Sequence, residues 1–188
     1  MKKIIALIVI PFITLACGEN HDHSGQTPAP EAAVVETAAL ETPADFRADF
    51  AEALEAYFEL KDALVATNQA DAAAKSLALA GKILAVRPAG LSPEAGMLWS
   101  VAGGDAAAAA EAIAAEADVE VQREHFEPLS NAFIDMVKAY GPFDNAVYRQ
   151  TCPMVRGGSA DWLSKEENVM NPYHGSRMLR CGSVVERI

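Results

Sequence analysis

Apolar positions in the first two thirds of the chain recur every three to four residues. Phe46, Phe50, Leu54, Tyr57 and Leu64, with Ala53 and Lys61 filling in, predict an amphipathic helix from Ala44 to about Thr67. Asn68 or Asp71 is placed to cap a second helix over Gln69 to Val86, with Leu77, Ala80, Ile83 and Leu84 as its apolar stripe. Arg87-Pro88-Ala89-Gly90 closes it, and Ser92 then caps a helix whose first position is Pro93. From Met97 to Ala117 the chain is mostly small residues, including Ala106 to Ala110, so helix propensity is high while little surface is available to bury. Gly103-Gly104 is expected to divide a short helix from the alanine-rich one, with Asp105 capping the latter. A last helix spans Val119 to Tyr140 and stops at Gly141-Pro142; Pro128, lacking an amide hydrogen, predicts a kink or a helix in two pieces. The expected fold is mostly α, an antiparallel four-helix-type bundle.

The pattern changes after Gly141. Ala146 to Gln150 and Ser183 to Ile188 are β-branched or aromatic and could pair as a small two-stranded ribbon leaning on the helices. Between them lies a run with two cysteines and two methionines at short spacing. Cys152 and Met154 are two residues apart and would leave the same face of an extended segment; Met178 and Cys181 are three apart and would share one side of a helical turn. If the run folds back between Val155 and Arg177, two thiolates and two thioethers converge, a donor set suited to Cu(I) or Ag(I). His174, four residues before Met178, is a further candidate ligand, whereas His125 on the last helix reads as a surface residue. Two cysteines in an exported chain also fit a disulfide, with the methionines as core filler. Trp162 and Tyr173 read as packing residues that hold this run over the helices.

The N-terminus carries targeting features. Lys2-Lys3 and the apolar stretch Ile4 to Ala16 resemble a signal segment, and Leu15-Ala16-Cys17-Gly18 a lipoprotein cleavage site, so residues 1–17 are set apart from the fold. Lipidation of Cys17 would anchor the protein to a membrane, and Gly18 points to the outer membrane of a two-membrane cell; plain secretion is the alternative. Residues 18–43 read as a flexible tether, in which His21 and His23 are incidental, and residues 44–188 as one domain. The formal charge of −11 argues against nucleic-acid binding. No nucleophile-elbow serine, phosphate loop, zinc-protease helix or C-x-x-C pair appears, so catalysis is not expected.

Several of these residues also carry a family resemblance. Tyr57, Leu60 and Lys61, then Arg123, Phe126, Leu129 and Ser130, then Cys152-Pro153-Met154, Trp162-Leu163-Ser164, Asn171-Pro172-Tyr173, Gly175, Met178 and Cys181-Gly182 resemble a domain of unknown function. That domain is found at the C-terminus of periplasmic adaptor subunits of copper and silver efflux systems, and also as free-standing exported proteins. His174 stands where an aromatic residue is more usual. The resemblance implies a periplasmic Cu(I)-binding protein that buffers or hands over metal, with an envelope efflux or delivery component as its candidate partner. An envelope interaction module with a structural Cys152–Cys181 disulfide is the alternative, and a redox protein using the same pair is a third reading.

Overall fold

A computed structural model describes residues 40–141 and 143–188; the signal segment, Cys17, His21, His23 and most of the expected tether lie outside the described residues. Leu40, still inside the segment expected to be tether, donates its amide to the Ala139 carbonyl at 2.8 Å and packs against the core. Pro43 is the cap of α1, Ala44–Val65, which buries Phe46, Phe50, Ala53, Leu54, Tyr57, Phe58, Leu60, Lys61 and Leu64. The first helix thus buries the face that its periodicity predicts. Emptying it at a fully buried aromatic such as Phe50 costs about 3–5 kcal/mol.

α2 spans Gln69–Ala85, and Asn68 caps it by accepting the Asp71 amide. Its buried stripe is Ala72, Ser76, Leu79, Ala80 and Ile83, whereas Leu77 and Leu84 are 65% and 70% exposed. The expected stripe is therefore corrected by a rotation about the helix axis. Small residues share the true contact face with Leu79 and Ile83, and Ser76 satisfies its hydroxyl there by donating to the Ala110 carbonyl at 2.8 Å.

α3 is Pro93–Leu98, with Ser92 accepting the Ala95 amide as expected. Gly103-Gly104 does not end a helix: a π-helical segment, Trp99–Gly103, leads directly into α4, Gly104–Ala115. The glycine serves packing instead. A Cβ on Gly103 would lie 3.1 Å from the Trp99 ring. Asp105 consequently sits in the first turn of α4 and caps nothing. α5, Val119–Tyr140, runs as a single helix through Pro128, so the two-piece alternative does not occur. Helices α1 and α2, α2 and α4, and α4 and α5 pack pairwise. An aromatic cluster at one end joins Phe46 and Phe50 of α1 to Trp99 and Tyr140.

The expected ribbon is the core of a larger sheet. β1, Tyr148–Val155, pairs antiparallel with β3, Ser183–Arg187, and on its other side with β2, Gly158–Ser164, giving the order β2-β1-β3. The β1–β2 turn uses Arg156 and Gly157, both in the left-handed region at φ 41° and 81°, which suits the twist of a tight hairpin. β2 rests on α5, and Tyr57 fastens it to α1: the Leu163 amide donates to the Tyr57 hydroxyl at 3.1 Å, and that hydroxyl shares a 2.8 Å hydrogen bond with Ser130 of α5. The fold is mostly helical, with a small C-terminal three-stranded antiparallel sheet.

Candidate metal centre

The sheet and the loop 165–182 bring Cys152 and Cys181 together, with 3.2 Å between the two sulfurs. Both are free thiols; a disulfide bond would require about 2.05 Å. Cys152 lies on β1 opposite Ala160 and is fully buried. Cys181 is half-buried and reaches it from the turn before β3, where its amide donates to the Met178 carbonyl at 3.0 Å. The hydrogen bond between the thiols, then desolvation, then the charge that Cys152 can carry, all push the Cys181 thiol above its ordinary value of 9.0.

Asn171 and Met178 hold Cys181 in place through its main chain. Asn171, fully buried, donates from Nδ2 to the Cys181 carbonyl at 2.8 Å, while its Oδ1 accepts the amides of Tyr173 and His174 at 2.8 and 3.1 Å. Asn171 thus organises both ends of the loop with one side chain. Gly182, at φ +136°, allows the chain to pass against β1, because a Cβ there would lie 2.4 Å from the Thr151 carbonyl oxygen and 3.1 Å from Trp162. Trp162 and Tyr173 pack edge to face at 6.0 Å beneath the loop, and the Tyr173 hydroxyl donates to the Asp161 carbonyl at 2.7 Å. Packing is therefore what these two aromatics do, as their position in the run suggested.

The methionines are placed differently from the cysteines. Met154 is 61% exposed and does not follow Cys152 into the core. The cause is a register shift between Cys152 and Val155, where three steps of β1 oppose two of β2. Pro153 sits in that interval and has no amide to give to a ladder, so the strand bulges and its two-residue alternation fails. Met178 is half-buried at the end of the 3-10 turn Gly175–Arg177, not on an α-helical turn with Cys181. His174 is half-buried, and its Nε2 lies 3.1 Å from the Met154 carbonyl, which ties it to the bulge. His125 is half-buried on α5, in a groove against α4. Among the described residues no group of three or more His, Cys, Asp or Glu side chains gathers as a metal site. The sulfurs that the fold places in contact are the two thiols.

The pattern of charge in the sequence hides a second set of residues at this site. Arg123 of α5 is 3% exposed and donates to the Pro172 carbonyl at 2.8 Å, the Leu64 carbonyl at 2.9 Å, Thr67 Oγ1 at 3.0 Å and Glu120 Oε1 at 2.6 Å. Burial draws its pKa below the ordinary value, against the raising effect of Glu120. Arg177 bonds Glu120 Oε2 at 2.8 Å and Arg180 donates to the Val169 carbonyl at 3.3 Å. These arginines fasten the loop. Lys61, 2% exposed, ends 2.7 Å from Asp62 and 3.6 Å from Glu166. Besides the resemblance that names them, a charged residue at a position on the apolar face of a helix is the signal for Lys61 and Arg123 that the sequence contains.

Chemically, a pair of contacting thiols in an apolar setting has two outlets. It can be oxidised to a disulfide, or both thiols can lose their protons and hold one soft cation between them. No curated protein and no solved structure matches the chain. Residues 53–145, from within α1 to just before β1, match the family model described as Protein of unknown function (DUF3347), so the helical part of this chain is similar to that family while the cysteine run lies beyond the matched span.

Proposed function

We propose that this protein is an exported Cu(I)-binding protein that buffers or hands over copper, or silver, in the cell envelope. The observation that carries this reading is the contact of two free thiols, one buried and one half-buried, at 3.2 Å, while among the described residues no group of three or more His, Cys, Asp or Glu side chains gathers to hold a harder ion. Cu(I) is the cargo: Cys152 and Cys181, deprotonated, supply two soft anionic donors, and the walls of Ala160 and Trp162 exclude water from one side. Met178, whose carbonyl accepts the Cys181 amide, is the thioether donor nearest Cys181 along the chain. Met154 and His174 lie together at the exposed bulge of β1. A lipid on Cys17 would keep the protein at the outer membrane, near an envelope efflux or delivery component. The role is binding, not catalysis.

A second reading has the same observation behind it: the pair closes to a structural disulfide and the helical part serves as an envelope interaction module. One experiment separates the two. Reduced protein is titrated with Cu(I) under anaerobic conditions against a chromogenic chelator, beside Cys152→Ser and Cys181→Ser. Copper binding predicts one ion per chain withdrawn from the chelator by the parent and a loss of at least tenfold in affinity in each variant. Parent protein that leaves the chelator fully loaded overturns the proposal in favour of the disulfide.

A further inference from the structure

The cysteines sit on segments that have no covalent reason to stay 3.2 Å apart, and what holds the second of them leads away from the sulfurs to the helices. The loop is anchored at three successive points. At Pro172 the carbonyl accepts Arg123 Nε at 2.8 Å. At Gly175 the backbone, at φ +54°, presses against the same guanidinium so closely that a Cβ would lie 2.5 Å from Arg123 Nη2 and 2.3 Å from Thr67 Oγ1. At Arg177 the side chain bonds Glu120 Oε2 at 2.8 Å, and Glu120 bonds Arg123 through its other oxygen at 2.6 Å. Beyond these points the loop turns back, with Asn171 taking the Leu179 carbonyl at 2.9 Å through its amide and the Cys181 carbonyl at 2.8 Å through its side chain.

One buried guanidinium therefore joins the C-terminal end of α1, the first turn of α5 and the loop. Its planar fork fills four acceptors on different elements, and a lysine in its place offers a single charged point. We propose that Arg123 is a positioning residue for the dithiol: by fixing residues 172–177 to the end of α1, it sets the approach of Cys181 to Cys152 and with it the strength of their pairing, whether with each other or with a shared soft cation. The cation part of this rests on the copper reading above; the thiol part does not.

The test uses a reaction that needs no metal. In a glutathione buffer, the two protein thiols are oxidised to one S–S bond while one glutathione disulfide is reduced to two glutathione thiols, with two electrons and two protons passing between the couples. The ratio at equilibrium measures how well the fold brings the sulfurs together. Arg123→Lys should shift that equilibrium at least tenfold toward the dithiol, about 30 mV for a two-electron couple, and weaken Cu(I) binding by a similar factor. Glu120→Gln, which loosens the same anchor at a partly exposed position, should shift it in the same direction by a smaller factor and keeps the test open if the lysine variant fails to fold. Leu79→Ala, a core lesion on α2, should lower stability and leave the equilibrium within twofold of the parent. An unmoved equilibrium in folded Arg123→Lys, or an equal shift in Leu79→Ala, overturns the proposal. If the parent takes no Cu(I) while Arg123→Lys still moves the thiol equilibrium, the copper reading fails and the positioning role stands.

Discussion

Replacing Tyr57 by phenylalanine removes one oxygen atom from the point where α1, α5 and β2 meet. The ring stays in place, stacked on Phe126 and Phe133 at 5.5 and 4.8 Å, so apolar packing is retained. What is lost is the acceptor for the Leu163 amide at 3.1 Å and the partner of Ser130 at 2.8 Å, in a site where Tyr57 and Ser130 are fully buried. An orphaned buried donor costs about 1–3 kcal/mol, and the Leu163 amide faces away from β1 with no strand beyond it. Ser130 suffers less, because a helical serine can turn its hydroxyl to the carbonyl one turn back. The sum is about 2–3 kcal/mol, which for a domain of this size lowers the melting temperature by roughly 6–12 °C. Ser130→Ala should cost less, since the Leu163 amide keeps its acceptor, and the double variant should cost less than the sum of the singles. Urea unfolding followed by circular dichroism measures all three. A Tyr57→Phe midpoint within about 0.5 kcal/mol of the parent, the range of an ordinary surface change, would refute the reasoning that this hydroxyl ties sheet to helices.

Other consequences follow from single groups. Gly182→Ala places a methyl 2.4 Å from a backbone oxygen at a positive φ, and should cost on the order of 1–3 kcal/mol in urea unfolding while slowing closure of the Cys152–Cys181 disulfide. Glu120 is raised by burial, but its hydrogen bond to Arg177 and the charges of Arg123 and Arg177 outweigh this and hold it below its ordinary 4.5. Its stabilising effect is therefore complete above that value and is lost as pH falls through the lower folded value. Acid titration of stability should show a steeper loss for the parent than for Glu120→Gln. Burial pushes Tyr140 up to about 12, and raises Tyr57 and Tyr173 above the ordinary 10.0 as well. The stability that these neutral phenols contribute is complete below 10.0 and declines only as pH rises through the folded values. Phenolate absorbance from all three should stay absent until alkaline unfolding, and early ionisation of any of them would contradict the packing described.

The helices were legible where large side chains carried the period. α1 and α5 begin and end within two residues of the expected bounds because Phe46, Phe50, Leu54 and Leu64 mark the first and the stop at Gly141-Pro142 marks the end of the other. α2 was legible in extent but not in orientation, since Ala72, Ser76 and Leu79 belong to its contact face with Ala80 and Ile83, while Leu77 and Leu84 stand outside. Gly103 looks like a break only if the Trp99 ring that needs its missing Cβ is unknown. In the C-terminal part the pairing of β1 with β3, and the meeting of Cys152 with Cys181, were both foreseeable from their flanking positions. β2 was not recognised, although Arg156-Gly157 is a hairpin turn and Ala160 and Trp162 alternate inward. Pro153 was the available warning that Cys152 and Met154 would part company. Arg123 stands among the residues that carry the resemblance, but its role in fastening the loop was not legible, because the partners that do so lie at 49 and 59 residues' separation.

The central claim is that Cys152 and Cys181 form one soft-cation site, and X-ray absorption at the copper edge tests it most directly. Reduced protein carrying one equivalent of Cu(I) should show a first shell made of sulfur alone, unchanged by His174→Ala and abolished in the Cys152→Ser/Cys181→Ser variant. A shell of nitrogen and oxygen, or a sulfur shell that survives loss of both cysteines, would contradict the account.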